Sequence, residues 1–101
     1  MMASRELSPL EQALEERVQK QAKKHGYTVY KVQFIGTRAA PDRVFGRNGR
    51  AVFIEFKRLD KEPTAQQVKR HKELCEAFGW DVRWTDDYFQ ACEILEIPPH
   101  G

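Results

Sequence analysis

An Asn-Gly pair set between two apolar runs constrains this chain more than any other feature. Residues 41–57 read Pro-Asp-Arg-Val-Phe-Gly-Arg-Asn-Gly-Arg-Ala-Val-Phe-Ile-Glu-Phe-Lys. Asn-Gly suits the two positive-φ positions of a tight hairpin turn. Counting outward from Asn48 and Gly49 sets Arg47 opposite Arg50, Phe45 opposite Val52, Val44 opposite Phe53 and Asp42 opposite Glu55. Opposed residues share a face of the ladder. Strand alternation adds Lys57, two residues beyond Glu55, to that face. The expected strands run over about residues 42–46 and 51–57.

Such a hairpin gathers two carboxylates and one ammonium. Like charges across a ladder repel. A carboxylate in a strand otherwise made of Ala, Val, Phe and Ile needs a partner. Lys57 supplies one positive charge, and a hard divalent metal would supply two more while accepting oxygen ligands. The plainer alternative makes Glu55 and Lys57 an edge-strand ion pair and Asp42 a turn residue. The residues alone leave both readings open.

Net charge is only +2, which argues nothing about partners, but its distribution does. Arg38, Arg43, Arg47, Arg50, Lys57, Arg58 and Lys61 all fall within or beside the hairpin, among the acids Asp42, Glu55 and Asp60. Positive charge around acidic metal ligands suits a polyanion. Charges that merely protect a sheet edge from aggregation explain Arg47 and Arg50 well, but Arg38 and Arg43 less well.

One hundred and one residues, 41% apolar and 32% charged, predict one small globular domain over 1–101. No apolar run approaches the ~20 residues of a membrane span, and residues 1–6 lack the apolar segment of a signal peptide. A cytoplasmic protein with no membrane partner is expected, in a bacterium or a phage-infected host. Cys75 and Cys92 lie in helical patterns and are expected to be reduced and buried. There is no Cys/His zinc spacing.

Ser8, Pro9 and Glu11 form a helix start, with Ser8 the expected N-cap, and Gly26 a stop, predicting a helix over 9–25. Leu10, Leu14, Val18 and Ala22 make its apolar stripe. Glu11 has a capping duty. Glu15 has none, and Gln19 four residues on is no ion-pair partner, so Glu15 is the better inward-reaching acid; an ordinary solvated glutamate is the alternative. Residues 27–35 alternate like a strand, and 36–40 read as a loop. Thr64 and Gln67 form a second capping box. The helix they open is expected to turn Val68, His71, Leu74, Cys75 and Phe78 to the core and to end at Gly79. Residues 80–85 read as a strand. Asp86 is the expected cap of a last helix reaching about Glu96, with Phe89, Cys92 and Leu95 inward and Pro98 and Pro99 beyond it. The order αβββαβα, with a crossover between parallel strands, predicts an α/β fold with a mixed four-stranded sheet flanked by helices.

These residues carry a resemblance. Pro41-Asp42 followed by Glu55-Phe56-Lys57 resembles the Pro-Asp…Glu-x-Lys signature of the PD-(D/E)xK, or restriction-endonuclease-like, superfamily. More narrowly, Gly36-Thr37-Arg38-Ala39-Ala40-Pro41-Asp42-Arg43, Val52–Lys57, and Thr64-Ala65-Gln66-Gln67 followed by Leu74 and Gly79-Trp80-Asp81-Val82 resemble a stand-alone VRR-NUC domain, the virus-type replication and repair nucleases. The likeness covers about residues 8–95. Ala39 stands where the family often has Gly.

The resemblance implies Mg²⁺- or Mn²⁺-dependent hydrolysis of DNA phosphodiesters. It implies that Asp42, Glu55 and the Phe56 carbonyl bind metal and that Lys57 activates water or stabilises charge. It sets Gln67 close to the active site, a role compatible with capping. Glu15, or Glu11 in its place, matches the family's helix acid and would reach the metal through water. Arg38, Arg43 and Arg58 are expected to contact phosphate. The resemblance further implies a homodimer cutting branched DNA such as Holliday junctions or flaps, with Phe78, Trp80, Trp84 and Tyr88 as candidates for its interface or for the core. The alternatives are a non-catalytic nucleic-acid-binding module of the same fold and a purely structural domain.

Overall fold

Asn48 and Gly49 take φ of 54° and 80°, the left-handed pair that a two-residue hairpin turn requires. The turn joins β2 (Arg43–Arg47) to β3 (Arg50–Phe56) with Arg47 opposite Arg50, Phe45 opposite Val52 and Val44 opposite Phe53. That is the register counted from the sequence, except that the ladder stops at Arg43 opposite Ile54 and the expected Asp42–Glu55 pair lies beyond it. The computed structural model describes residues 9–34, 36 and 41–101; the expected N-cap Ser8, Arg38 and the rest of the 37–40 loop lie outside the described residues.

The elements run α1 (Pro9–Lys24), β1 (Thr28–Lys31), β2, β3, α2 (Ala65–Phe78), β4 (Asp81–Thr85) and α3 (Tyr88–Leu95). The sheet order is β1-β2-β3-β4, antiparallel except that β3 and β4 are parallel through the α2 crossover. β1 is shorter than the alternating run 27–35. Its pairing with β2 ends at Lys31 opposite Arg43, and Val32 N–H then donates to the Asp42 carbonyl at 2.9 Å as the chains part.

Alternation divides the sheet. Phe45, Val52, Ile54 and Phe56 bury themselves against Val18 and Ala22 of α1 and Tyr88, Ala91, Cys92 and Leu95 of α3. Leu14 packs at the rim of this core, whereas Leu10, in the same predicted stripe, is exposed. Arg47 is no solvated edge charge. Its guanidinium donates to the His25 and Leu95 carbonyls at 3.0 and 3.4 Å and lies over the Tyr27 ring, clamping the ends of α1 and α3. Arg50 is likewise committed, to Asp81 at 3.3 Å and Glu96 at 3.6 Å.

Two helices depart from expectation. Asp87, not Asp86, caps α3, accepting from Gln90 N–H at 2.8 Å. The inward set is therefore Tyr88, Ala91, Cys92 and Leu95, and Phe89 is 50% exposed. On α2, Leu74 is the only buried residue; Val68, Cys75 and Phe78 are exposed. One helix lies on a face whose central side chain, Glu55, is charged. That face demands donors rather than a broad apolar stripe.

Candidate active site

Because Ile54 and Phe56 point to the α1 side, Glu55 must point to the α2 side, where it is 3% exposed. A carboxylate so deeply placed needs donors on both oxygens. Oε2 accepts from Gln67 Nε2 and lies 3.4 Å from Lys57 Nζ, and Oε1 lies 2.9 Å from His71 Nε2. Gln67 and His71 are four residues apart and so share a helix face. The start of that helix is set by a complete capping box: Thr64 Oγ1 accepts from Gln67 N–H and Gln67 Oε1 accepts from Thr64 N–H. Gln67 thus caps α2 with its oxygen and grips Glu55 with its nitrogen.

Asp42 sits one residue before β2, not inside it. The ladder ends at Arg43 opposite Ile54. Beyond it the Asp42 carboxylate takes the place of a main-chain acceptor, receiving Phe56 N–H on Oδ2 at 3.1 Å. At the strand end its charge acts on groups of both layers. Burial pushes the Asp42 carboxyl up from 3.8 to about 6. The Phe56 N–H opposes this, the charges of Glu55 and Glu15 add to it, and Lys57 opposes it again.

Glu15 arrives from α1 and is 4% exposed; Glu11 is half-buried. Arg43 Nε donates to Glu15 Oε1 at 2.5 Å, while Glu15 Oε2 is buried without a hydrogen-bond partner. Arg58 is exposed beside Lys57. The structure therefore brings together Asp42, Glu55, Lys57, Gln67 and Glu15, with Arg43 bound to the last of these.

Sequence reasoning assigned His71 to the core. The available signal was its spacing from Gln67, masked by the apolar residues that share its period.

Glu55 pairs with Lys57 and Glu15 with Arg43, the Asp42 carboxyl nearby is held far above its usual range, and one buried Glu15 oxygen has no donor. This excess of oxygen donors and negative charge fits a hard divalent cation. Among the described residues no group of three or more His, Cys, Asp or Glu is placed to hold a metal ion. Water and a main-chain carbonyl would complete such a shell, as is usual for Mg²⁺.

No family model matches the chain. A curated protein of Acyrthosiphon pisum secondary endosymbiont phage 1, named "Putative nuclease p44", is 32% identical over 65 residues, which span 63% of this chain and 70% of that protein. A solved structure described as a VRR_NUC domain superposes with a TM-score of 0.78 at 21% identity, covering 88% of this chain and 97% of the other. The mixed four-stranded sheet with its three helices is the restriction-endonuclease-like architecture. The fold is thus that of a VRR_NUC domain, and by the identity and coverage of the phage relative the chain belongs to the same nuclease family as that protein.

Proposed function

We propose that this chain is a Mg²⁺- or Mn²⁺-dependent DNA endonuclease, with residues 1–101 as one catalytic unit. The observation that carries the reading is the buried Glu55 carboxylate, ringed by Lys57, Gln67 and His71 and near enough to Asp42 for the two carboxylates to repel.

Asp42, Glu55 and the Phe56 carbonyl would hold the cation, with Glu15 reaching it through water. A divalent ion there supplies Lewis acidity, lowering the pKa of a bound water and neutralising the scissile phosphate. Lys57 stabilises the negative charge that builds on the phosphate oxygens as water attacks. Its ion pair with Glu55 Oε2 at 3.4 Å suits that electrostatic role. Gln67 and His71 donate to Glu55 and fix its orientation. Arg43 does the same for Glu15, and its remaining guanidinium nitrogens, with Arg38 and Arg58, meet phosphate.

The preferred substrate in this reading is branched DNA, a Holliday junction or a flap, in replication, recombination or repair. The expected setting is the cytoplasm of a bacterium or phage-infected host. The relative's phage source supports that setting. A homodimer would present two such sites to two strands. Phe78, 62% exposed and stacked on Trp80, which in turn stacks on Phe53, supports an apolar contact face on the α2 side. Tyr88 is excluded from that face because it is buried in the core.

The test is cleavage of labelled linear, flap and four-way DNA with Mg²⁺, Mn²⁺ or EDTA. Metal-dependent cutting is expected, falling by about 10²–10³ in Lys57→Ala and lost in Glu55→Gln. Cutting that survives in Glu55→Gln would contradict the assignment. Tight metal-independent binding without any cutting would instead favour the binding-module reading.

A further inference from the structure

Outside the candidate site, one strongly charged feature stands apart. A cleft of about 630 Å³ runs between the outer face of α1 and the segment following α3. Arg17, Lys20, Lys23 and Lys24 line it together with His100. Among the described residues no acidic side chain does. Lysines scattered on an exposed helix are ordinary solubilising charges, so the walls decide the matter.

The far wall is built rather than loose. Gln21 Nε2 donates to the Pro98 carbonyl at 2.8 Å, and Tyr88 Oη donates to the Pro99 carbonyl at 2.7 Å. Arg17 is held flat, its guanidinium carbon 3.7 Å from the centre of the Tyr88 ring. The four cations are thus set along one wall of a groove whose other wall is pinned by main-chain acceptors.

The groove also shares residues with a depression that reaches Arg43. Lys20 and Lys23 line this second, smaller depression with Glu16, Gln19 and Arg43. Arg43 in turn is the residue bound to Glu15. Positive charge therefore runs from the site along α1 and into the cleft, interrupted at its border by Glu16. At about 1.5 Å rise per residue, Arg17 to Lys24 spans about 10 Å. A duplex strand carries a phosphate about every 3.4 Å along the axis, so this length meets about three of them.

We infer that the α1 cleft, through Arg17, Lys20, Lys23 and Lys24, binds the phosphodiester backbone of substrate DNA away from the bond being cut. The inference rests on the nuclease reading and adds to it a second contact region that fixes the duplex relative to the scissile strand. Each cation would displace condensed counterions from DNA and contribute to the salt dependence of binding.

The experiment measures binding of a fluorescein-labelled 20-base-pair duplex by anisotropy in EDTA, across a salt series. Wild-type protein is compared with Lys20→Gln/Lys23→Gln/Lys24→Gln, with Lys20→Gln alone and with Glu55→Gln. The slope of log K against log salt is expected to shrink by about 2–3 in the triple variant and by about 0.9 in Lys20→Gln. Glu55→Gln should keep the wild-type slope while losing cleavage. Lys20 is exposed in mid-helix, so the single variant reads the contact even if the triple variant folds poorly. Unchanged slopes in both lysine variants, with wild-type protein still binding and cutting DNA, would overturn the cleft and leave the nuclease reading standing. Wild-type protein that neither binds nor cuts DNA would overturn both.

Discussion

Asp42 shows how a single side chain ties stability to the proposed chemistry. Its carboxyl titrates at about 6 in the folded protein and near 3.8 otherwise. The folded state therefore holds the proton more tightly, and stability falls as pH rises from about 4 to about 6, then levels. The loss is about 2–3 kcal/mol at most. Asp42→Asn keeps an oxygen for Phe56 N–H and removes the charge. It should flatten the pH dependence and raise Tm at pH 7.5 by about 10 °C; a Tm equal to or below wild type would contradict this account of the carboxyl. A bound cation competes with the same proton, so Mn²⁺ should stabilise the wild type more at pH 7.5 than at pH 5. His71 makes a different point. His71→Ala strips one donor from a buried carboxylate and should cost about 1–3 kcal/mol. His71→Asn should recover part of that loss in urea unfolding and part of the cleavage rate. Equal loss in both variants would mean that the ring is packing alone.

At the scale of elements, the hairpin sets everything else. Gly49 has φ of 80°, so Gly49→Ala should destabilise the fold by about 1–2 kcal/mol, read as a lower urea midpoint at unchanged m value. An unshifted midpoint would mean the turn is not what holds the register. That register was legible because Asn48-Gly49 requires one backbone geometry, and counting from it is arithmetic. The β3–α2–β4 crossover was legible from length, and the Thr64–Gln67 capping box from spacing. The inward face of α2 was not. Val68, His71, Cys75 and Phe78 repeat like core residues, but the sheet face beneath them presents Glu55. Tertiary demand for donors overrode the apolar period. Asp86 and Asp87 are equivalent as caps in sequence, and packing of Tyr88 rather than Phe89 chooses between them. Glu15 was legible only as a charge without local duty; its burial needed α1 to be docked.

At the scale of the whole molecule, the sheet works as a partition. One side is a closed apolar core under α1 and α3. The other, under α2, carries the polar cluster and the stacked Phe53, Trp80 and Phe78. No helix among the described residues is long and apolar enough to cross a membrane. The exposed end of that stack ties the proposed dimer to Phe78. Sedimentation should show a concentration-dependent dimer that Phe78→Asp converts to monomer while far-ultraviolet circular dichroism is unchanged. A wild-type protein that stays monomeric at high concentration would remove the dimer from the account.

In the proposed site two acids, one at the mouth of a strand and one buried in its neighbour, share a divalent ion. Anomalous diffraction from a crystal soaked in Mn²⁺ measures this directly. The expected result is an anomalous peak bounded by the Asp42 carboxylate, the Glu55 carboxylate and the Phe56 carbonyl. A Mn²⁺-activated enzyme whose only anomalous peak lies away from Asp42 and Glu55 would contradict it.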